Sequence, residues 1–348
     1  MKSKSVLRAA LAVVVLASLS GAAGAAGASP ARAEGVKDCP IAPPDEPGVY
    51  RLGGSDRYAV SATISQAAFV STGGTVYIAS GETFPDALSG SAAAGLDGAP
   101  VLLVTRTDVT PEVRSELIRL APRRIVVLGG TATISTELES SLGSFAPIVD
   151  RIAGADRFEV SANIARSAFS RSTRTAYVAS GSGFADALSA SAAAGAEDGP
   201  VLLVERDEVP VSIVRALASF PDLERIIVVG GPSSVSDAVV GRLAAFASTT
   251  RISGVDRFEV SVNTSRDEFC SNLDAVLIAS GAVFSDALAG SAAATAFGSP
   301  VLLVAGDAIP DAVARELRRL NPDQIGVLGG PNTISDGVLE QLKDYVRS

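Results

Sequence analysis

An aspartate–arginine pair occurs three times in this chain, as Asp56-Arg57, Asp156-Arg157 and Asp256-Arg257, each one hundred residues after the last. Arginine presents a planar, permanently charged fork that suits a carboxylate or a phosphate. Thirty residues beyond each pair stands a second carboxylate, Asp86, Asp186 or Asp286, in the segments SGETFPDAL, SGSGFADAL and SGAVFSDAL. Two carboxylates can work together in glycoside hydrolysis. Three equivalent pairs in one chain speak instead for a binding function performed three times. Structural roles compete with both readings. The aspartates can cap or charge helix N-termini, and the arginines can form ion pairs between modules. A third motif, LGGTATIS, VGGPSSVS and LGGPNTIS, places two glycines where a strand gives way to a helix. Such a turn can aim backbone N–H groups at an anion, or can simply be tight and capped by Ser or Thr. Neither G-x-G-x-x-G nor G-x-x-x-x-G-K-[ST] occurs, so a nucleotide site has little support.

The chain has no histidine. That removes Ser-His-Asp and Cys-His nucleophiles and the usual zinc hydrolase centres, and leaves only an Asp/Glu-based enzyme open. No calcium-loop spacing is present, and neither a cofactor nor a resident metal is expected. Lys2, Lys4 and Arg8, then the apolar run from Ala9 to Leu19, then Ala31-Arg32-Ala33, read as a signal peptide over residues 1–33. Its loss takes four basic residues and no acidic one, moving the formal charge from −9 to −13. That balance disfavours nucleic acid as a partner. Later apolar runs are only strand-length, so no membrane contact is expected after signal cleavage.

The elements that must position these residues follow from periodicity. Residues 34–48 hold Pro40, Pro43, Pro44 and Pro47 and read as an extended linker. Modules then run over 49–147, 148–248 and 249–348. In the first, Tyr50–Leu52 is a short strand, and Val60, Ile64, Ala67 and Ala68 mark a helix capped by Ser55 or Asp56. Strand TVYIA, the small-residue helix DALSGSAAAG after Pro85, strand VLLV, helix TPEVRSELIRL, strand RIVVL and a last helix around Ile134–Leu142 complete the unit. Alternating short strands and helices predict an α/β fold with a mostly parallel sheet flanked by helices.

Together, the R-[LI]-x-G-x-D-R-[YF] opening, S-G-x-x-F-x-D-A-L, P-V-L-L-V and the Gly-Gly turn resemble the bacterial cell-wall-binding repeat 2 family. The likeness covers nearly all of residues 49–348. It implies three similar modules in a compact pseudo-threefold trimer. It also implies a secreted, non-catalytic protein held noncovalently at the wall of a Gram-positive envelope. The partner would be an anionic secondary wall polymer or a peptidoglycan-linked glycopolymer. Relatives usually carry an effector region; here only the leader and linker lie outside the repeats, so none is expected. Candidate polymer contacts are Arg57, Arg157 and Arg257, with Asp86, Asp186 and Asp286. The family's leucine strand motif adds Leu102, Leu103, Leu202, Leu203, Leu302 and Leu303, which on chemistry alone read as core. If three modules close a ring, the first and third are neighbours, and Cys39 and Cys270 can clasp it by a disulfide in an oxidising compartment. Two rival readings are a wall hydrolase of the N-acetylmuramoyl-L-alanine amidase type and an extracellular solute-binding protein. The missing histidine opposes the first, and triplicate symmetry opposes the second.

Overall fold

A computed structural model describes residues 47–69 and 73–347. The expected leader, most of the linker and Cys39 lie outside them. The first repeat comprises β1 (Gly48–Leu52), α1 (Arg57–Ala68), β2 (Thr75–Ser80), α2 (Pro85–Leu96), β3 (Val101–Val104), α3 (Pro111–Leu120), β4 (Arg124–Leu128) and α4 (Thr136–Leu142). The second comprises β5 (Ile148–Ile152), α5 (Arg157–Ala168), β6 (Thr175–Ser180), α6 (Ala185–Ala196), β7 (Val201–Val204), α7 (Val211–Ala218), β8 (Arg225–Val229) and α8 (Asp237–Leu243). The third comprises β9 (Ser248–Ile252), α9 (Arg257–Glu268), β10 (Ala275–Ser280), α10 (Leu288–Phe297), β11 (Val301–Val304), α11 (Asp311–Leu320), β12 (Gln324–Leu328) and α12 (Asp336–Leu342).

The expected alternation is present, and each of the three sheets is parallel throughout. The strand that opens each repeat, however, joins the sheet of the repeat before it. The sheet orders are β3-β2-β4-β5, β7-β6-β8-β9 and β11-β10-β12-β1. Because β1 pairs with β12 from Gly48↔Gln324 to Leu52↔Leu328, the exchange closes into a ring. An arginine at each crossing holds the exchanged strand. Arg51 donates to the Gly329 carbonyl (3.0 Å) and to Asp336 (2.9 Å). Arg151 makes the corresponding bonds to Gly129 (2.8 Å) and Glu139, and Arg251 to Gly230 (2.7 Å) and Asp237.

The helices of small residues, α2, α6 and α10, pack on one another around the ring's axis. Ser91 donates to the Leu288 carbonyl (3.0 Å), Ser191 to Leu88 (2.8 Å) and Thr295 to Ser191 (3.3 Å). The approach is so close that a Cβ on Gly95 or Gly195 would overlap the Thr295 side chain. One threonine fills a space that three cannot share. The symmetry is therefore approximate: α10 begins at Leu288, three residues later than its counterparts, and the buried Ser291 Oγ has no hydrogen-bond partner among the described residues.

Candidate functional site

Each Asp-Arg pair is built into the turn between an opening strand and the next helix. Asp56 has an extended backbone and caps α1, accepting from the N–H groups of Tyr58 and Ala59 at 2.9 Å. Asp156 and Asp256 cap α5 and α9 by accepting from Glu159 and Glu259. Arg57 and Arg157 reach across to the carbonyls of Gly81 and Gly181 at 2.6 Å, and Arg257 does the same to Gly281. The neighbouring rings of Tyr58, Phe158 and Phe258 lie against those same glycines, leaving no room for a Cβ there. The first and second motifs thus touch inside each repeat. Among the described residues these arginines form no inter-module ion pair, and Arg157 and Arg257 remain exposed.

The second and third motifs meet at the carboxylate. Gly129, the first glycine of its turn, has φ +98°, and a Cβ there would overlap Asp86 Oδ2 and come within 2.7 Å of Thr133 Oγ1. Gly230 (φ +119°) and Gly329 (φ +101°) stand in the same relation to Asp186 and Asp286. Glycine is needed there twice over, for a backbone conformation L side chains rarely adopt and for room beside a carboxylate. Thr133 does not bond Asp86; it donates to Gly130. In the third repeat Thr333 donates to Asp286 Oδ2 at 2.8 Å. Burial pushes the Asp86 carboxyl up to about 6, against the opposing pull of Arg157 from the next repeat. Burial also raises Asp186, opposed by the Ser234 hydroxyl and by Arg257.

All three motifs therefore converge between repeats. Between the second and third lies a cavity of about 500 Å³. Its walls are Ser180, Phe184 and Asp186 from one side, Ser233 and Ser234 beyond the Gly-Gly turn, and Asp256 and Arg257 from the next repeat. It opens beyond the carboxyl ends of β6, β8 and β9, the edge where parallel α/β sheets usually bind ligands. The volume falls in the ~300–1,000 Å³ range of small-ligand sites.

Phe84, Phe184 and Phe284 had no assigned role in the sequence reading, although they recur at the same hundred-residue spacing. They cluster with ring centroids 5.5–6.4 Å apart, and Arg157 and Arg257 stand over Phe84 and Phe184 at 5.9 and 5.8 Å. Such contacts can fix an arginine's orientation and stabilise it by ~0.5–1 kcal/mol. The six candidate leucines are placed differently. Leu102, Leu103, Leu202, Leu203, Leu302 and Leu303 are all 0% exposed, so none of them can touch a polymer in this fold. They belong to the edge strands β3, β7 and β11. The N–H groups of Leu103, Leu203 and Leu303 are satisfied by the hydroxyls of Ser61, Ser161 and Ser261 at 3.1 Å.

The family profile for Cell wall binding domain 2 (CWB2) matches residues 51–139, 151–240 and 251–339. The chain belongs to this family. It is similar to the N-acetylmuramoyl-L-alanine amidase LytC of Bacillus subtilis, 26% identical over 86% of this chain and 58% of that protein. It is also similar to the amidase enhancer of the same organism, 29% identical over 84% of this chain and 40% of that one. Among solved structures, Cwp6 from Clostridium difficile superposes with a TM-score of 0.81 at 25% identity, covering 87% of this chain and 48% of its own. Cwp8 from the same organism shares the fold, with a TM-score of 0.78 at 23% identity over 86% and 52%. The chain thus spans about half the length of these relatives. Family membership supports cell-wall binding and a place at the cell surface.

Proposed function

We propose that this is a secreted, non-catalytic anchor that holds noncovalently to anionic secondary polymers of a Gram-positive wall through its inter-module clefts. The convergence of all three repeated motifs on a cavity beyond the strand ends carries this reading. In that cavity Arg257 supplies a fixed cation beside hydroxyls and backbone, and Arg57 and Arg157 hold the equivalent positions in sequence. Exposed charge-assisted contacts contribute about 1 kcal/mol each. Several together retain a protein by avidity. A disulfide between Cys39 and Cys270 belongs to the same proposal: Cys270 packs against the core of the third module, next to which β1 enters.

The test is co-sedimentation with protein-free walls, with and without their secondary polymers, across a salt series. The unaltered chain should sediment only where the polymers remain. A folded Arg57→Ala, Arg157→Ala, Arg257→Ala variant should release at lower salt. Unchanged retention would confine these arginines to bracing the Gly81, Gly181 and Gly281 carbonyls. A hydrolase reading draws on one observation, the Asp86 carboxyl near 6, in the range a general acid uses. Peptidoglycan incubated with the chain should release no reducing ends or amines. Release that Asp86→Asn abolishes would favour the hydrolase.

A further inference from the structure

The three clefts share a plan but differ in how open they are. Pro85 and Asp86 are buried behind Phe84, and Ser285 and Asp286 are buried behind Phe284, whereas Ala185 and Asp186 are half-buried beside Phe184. Just before the phenylalanine the repeats carry Thr83, Gly183 and Val283. Gly183 lines the cavity, and a Cβ built on it meets no atom of the described residues within 4 Å. It therefore leaves open a space at the cavity wall, whereas the other two repeats set exposed side chains at this position, Val283 at 39% exposure.

The cavity's chemistry is also specific. Ser180, Ser182, Ser233 and Ser234 line it, and each hydroxyl can both donate and accept, as sugar hydroxyls do. Its charged side chains are the guanidinium of Arg257 and the carboxylates of Asp186 and Asp256. Asp256 is engaged as a helix cap, and Arg257 donates one N–H to the neutral Gly281 carbonyl, which leaves its charge and its remaining N–H groups for a ligand. A phosphate placed here would meet one cation and two carboxylates. A hydroxyl-bearing ring can instead accept from Arg257 and donate to Asp186, and meets no net repulsion.

From this we infer that the cleft between the second and third repeats is the principal ligand site, one per chain, and that it takes an uncharged, hydroxyl-rich sugar unit of the wall glycan. The inference rests on the wall-binding reading and narrows it: phosphates of the polymer stay outside the cavity, and the sugar enters.

Calorimetric titration of the full chain tests this, with oligosaccharides released from purified walls and stripped of phosphate by hydrofluoric acid, and with inorganic phosphate in parallel. The stripped fragments should bind at one per chain, and inorganic phosphate should neither bind nor compete. Gly183→Val should weaken binding at least tenfold, and Gly183→Ala by a smaller factor, with thermal unfolding unchanged because the added atoms enter open space. If Gly183→Val fails to fold, the graded loss in Gly183→Ala decides. Three fragments per chain, or affinity indifferent to both variants, with wall retention intact, would overturn the single-site inference and leave wall binding standing. Binding lost on removal of phosphate would overturn the sugar assignment. No retention of the unaltered chain on walls would overturn both.

Discussion

Replacing Gly129 by Ala should destabilise the protein by an amount that splits into two separable parts. Its φ of +98° is one L residues rarely adopt, and holding alanine there costs ~1–3 kcal/mol. The new Cβ would also overlap Asp86 Oδ2, displacing a buried carboxylate at a cost of ~1–3 kcal/mol for the disturbed polar group. Together these give about 2–6 kcal/mol, which at a slope of ~3 kcal/mol per molar urea lowers the unfolding midpoint by roughly 1–2 M. The adjacent glycine is an internal control. A Cβ on Gly130 finds only the Gly154 carbonyl, at 3.9 Å, and Gly130 has no positive φ, so Gly130→Ala should stay within ~0.5 kcal/mol of the unaltered chain. Asp86→Ala removes the overlap but not the backbone strain. On that background Gly129→Ala should cost only the first part, giving a coupling of ~1–3 kcal/mol in a double-mutant cycle. Equal costs at Gly129 and Gly130, or additive behaviour with Asp86→Ala, would refute the idea that the turn needs its first glycine for both reasons.

Three further outcomes follow from the same geometry. Leu103→Ala should lower stability by ~2–5 kcal/mol through a core cavity, while the folded fraction binds walls as before; normal stability with lost retention would put the leucine at the ligand after all. Asp86 has a folded pKa of about 6 against 3.8 unfolded, so the folded state holds the extra proton between those values, and stability should fall by about 3 kcal/mol as pH rises from near 4 to above 6. Asp86→Asn should flatten that part of the urea-midpoint profile; an unchanged slope would show that other groups set it. Non-reduced protein should yield a peptide joining Cys39 to Cys270, with reduction costing up to about 5 kcal/mol for so long a loop, whereas two separately alkylatable thiols would remove the clasp.

The elements themselves were legible because local rules are strong here. Proline at the start of α2 and α3, apolar runs such as Val101–Val104 and glycines after β4, β8 and β12 place boundaries to within a few residues. An aspartate just before an apolar-periodic segment signals a helix cap, and Asp56, Asp156 and Asp256 are caps. The partners across the ring were not legible, since a five-residue strand such as Gly48–Leu52 fits the sheet of its own repeat as well as that of its neighbour. Arg51 carried no sign that its acceptor lay at Gly329, 278 residues away. Packing complementarity is visible only afterwards. A Cβ on Gly90 or Gly290 would strike Leu128 or Leu328, while the second repeat carries Ala190 together with the smaller Val229. The leucines show how a motif can mislead: a side chain repeated three times at strand spacing serves packing as readily as binding.

Strand exchange explains why the clefts lie between repeats. The segment that leaves β5 or β9 has just completed the preceding sheet, so its glycine, Asp and Arg arrive beside that sheet's Gly-Gly turn. The cavity next to Asp186 therefore draws Arg257 from the following repeat, and Arg157 influences Asp86 in the same way. A single excised repeat would keep its Asp86-type carboxylate and its Gly-Gly turn but lose the arginine that faces them, and would expose the edge of its fourth strand. Repetition on this plan does more than multiply a finished site, because each cleft needs residues from two consecutive repeats. The ring closure through β1 and β12 is what allows the last repeat to find a following neighbour in the first.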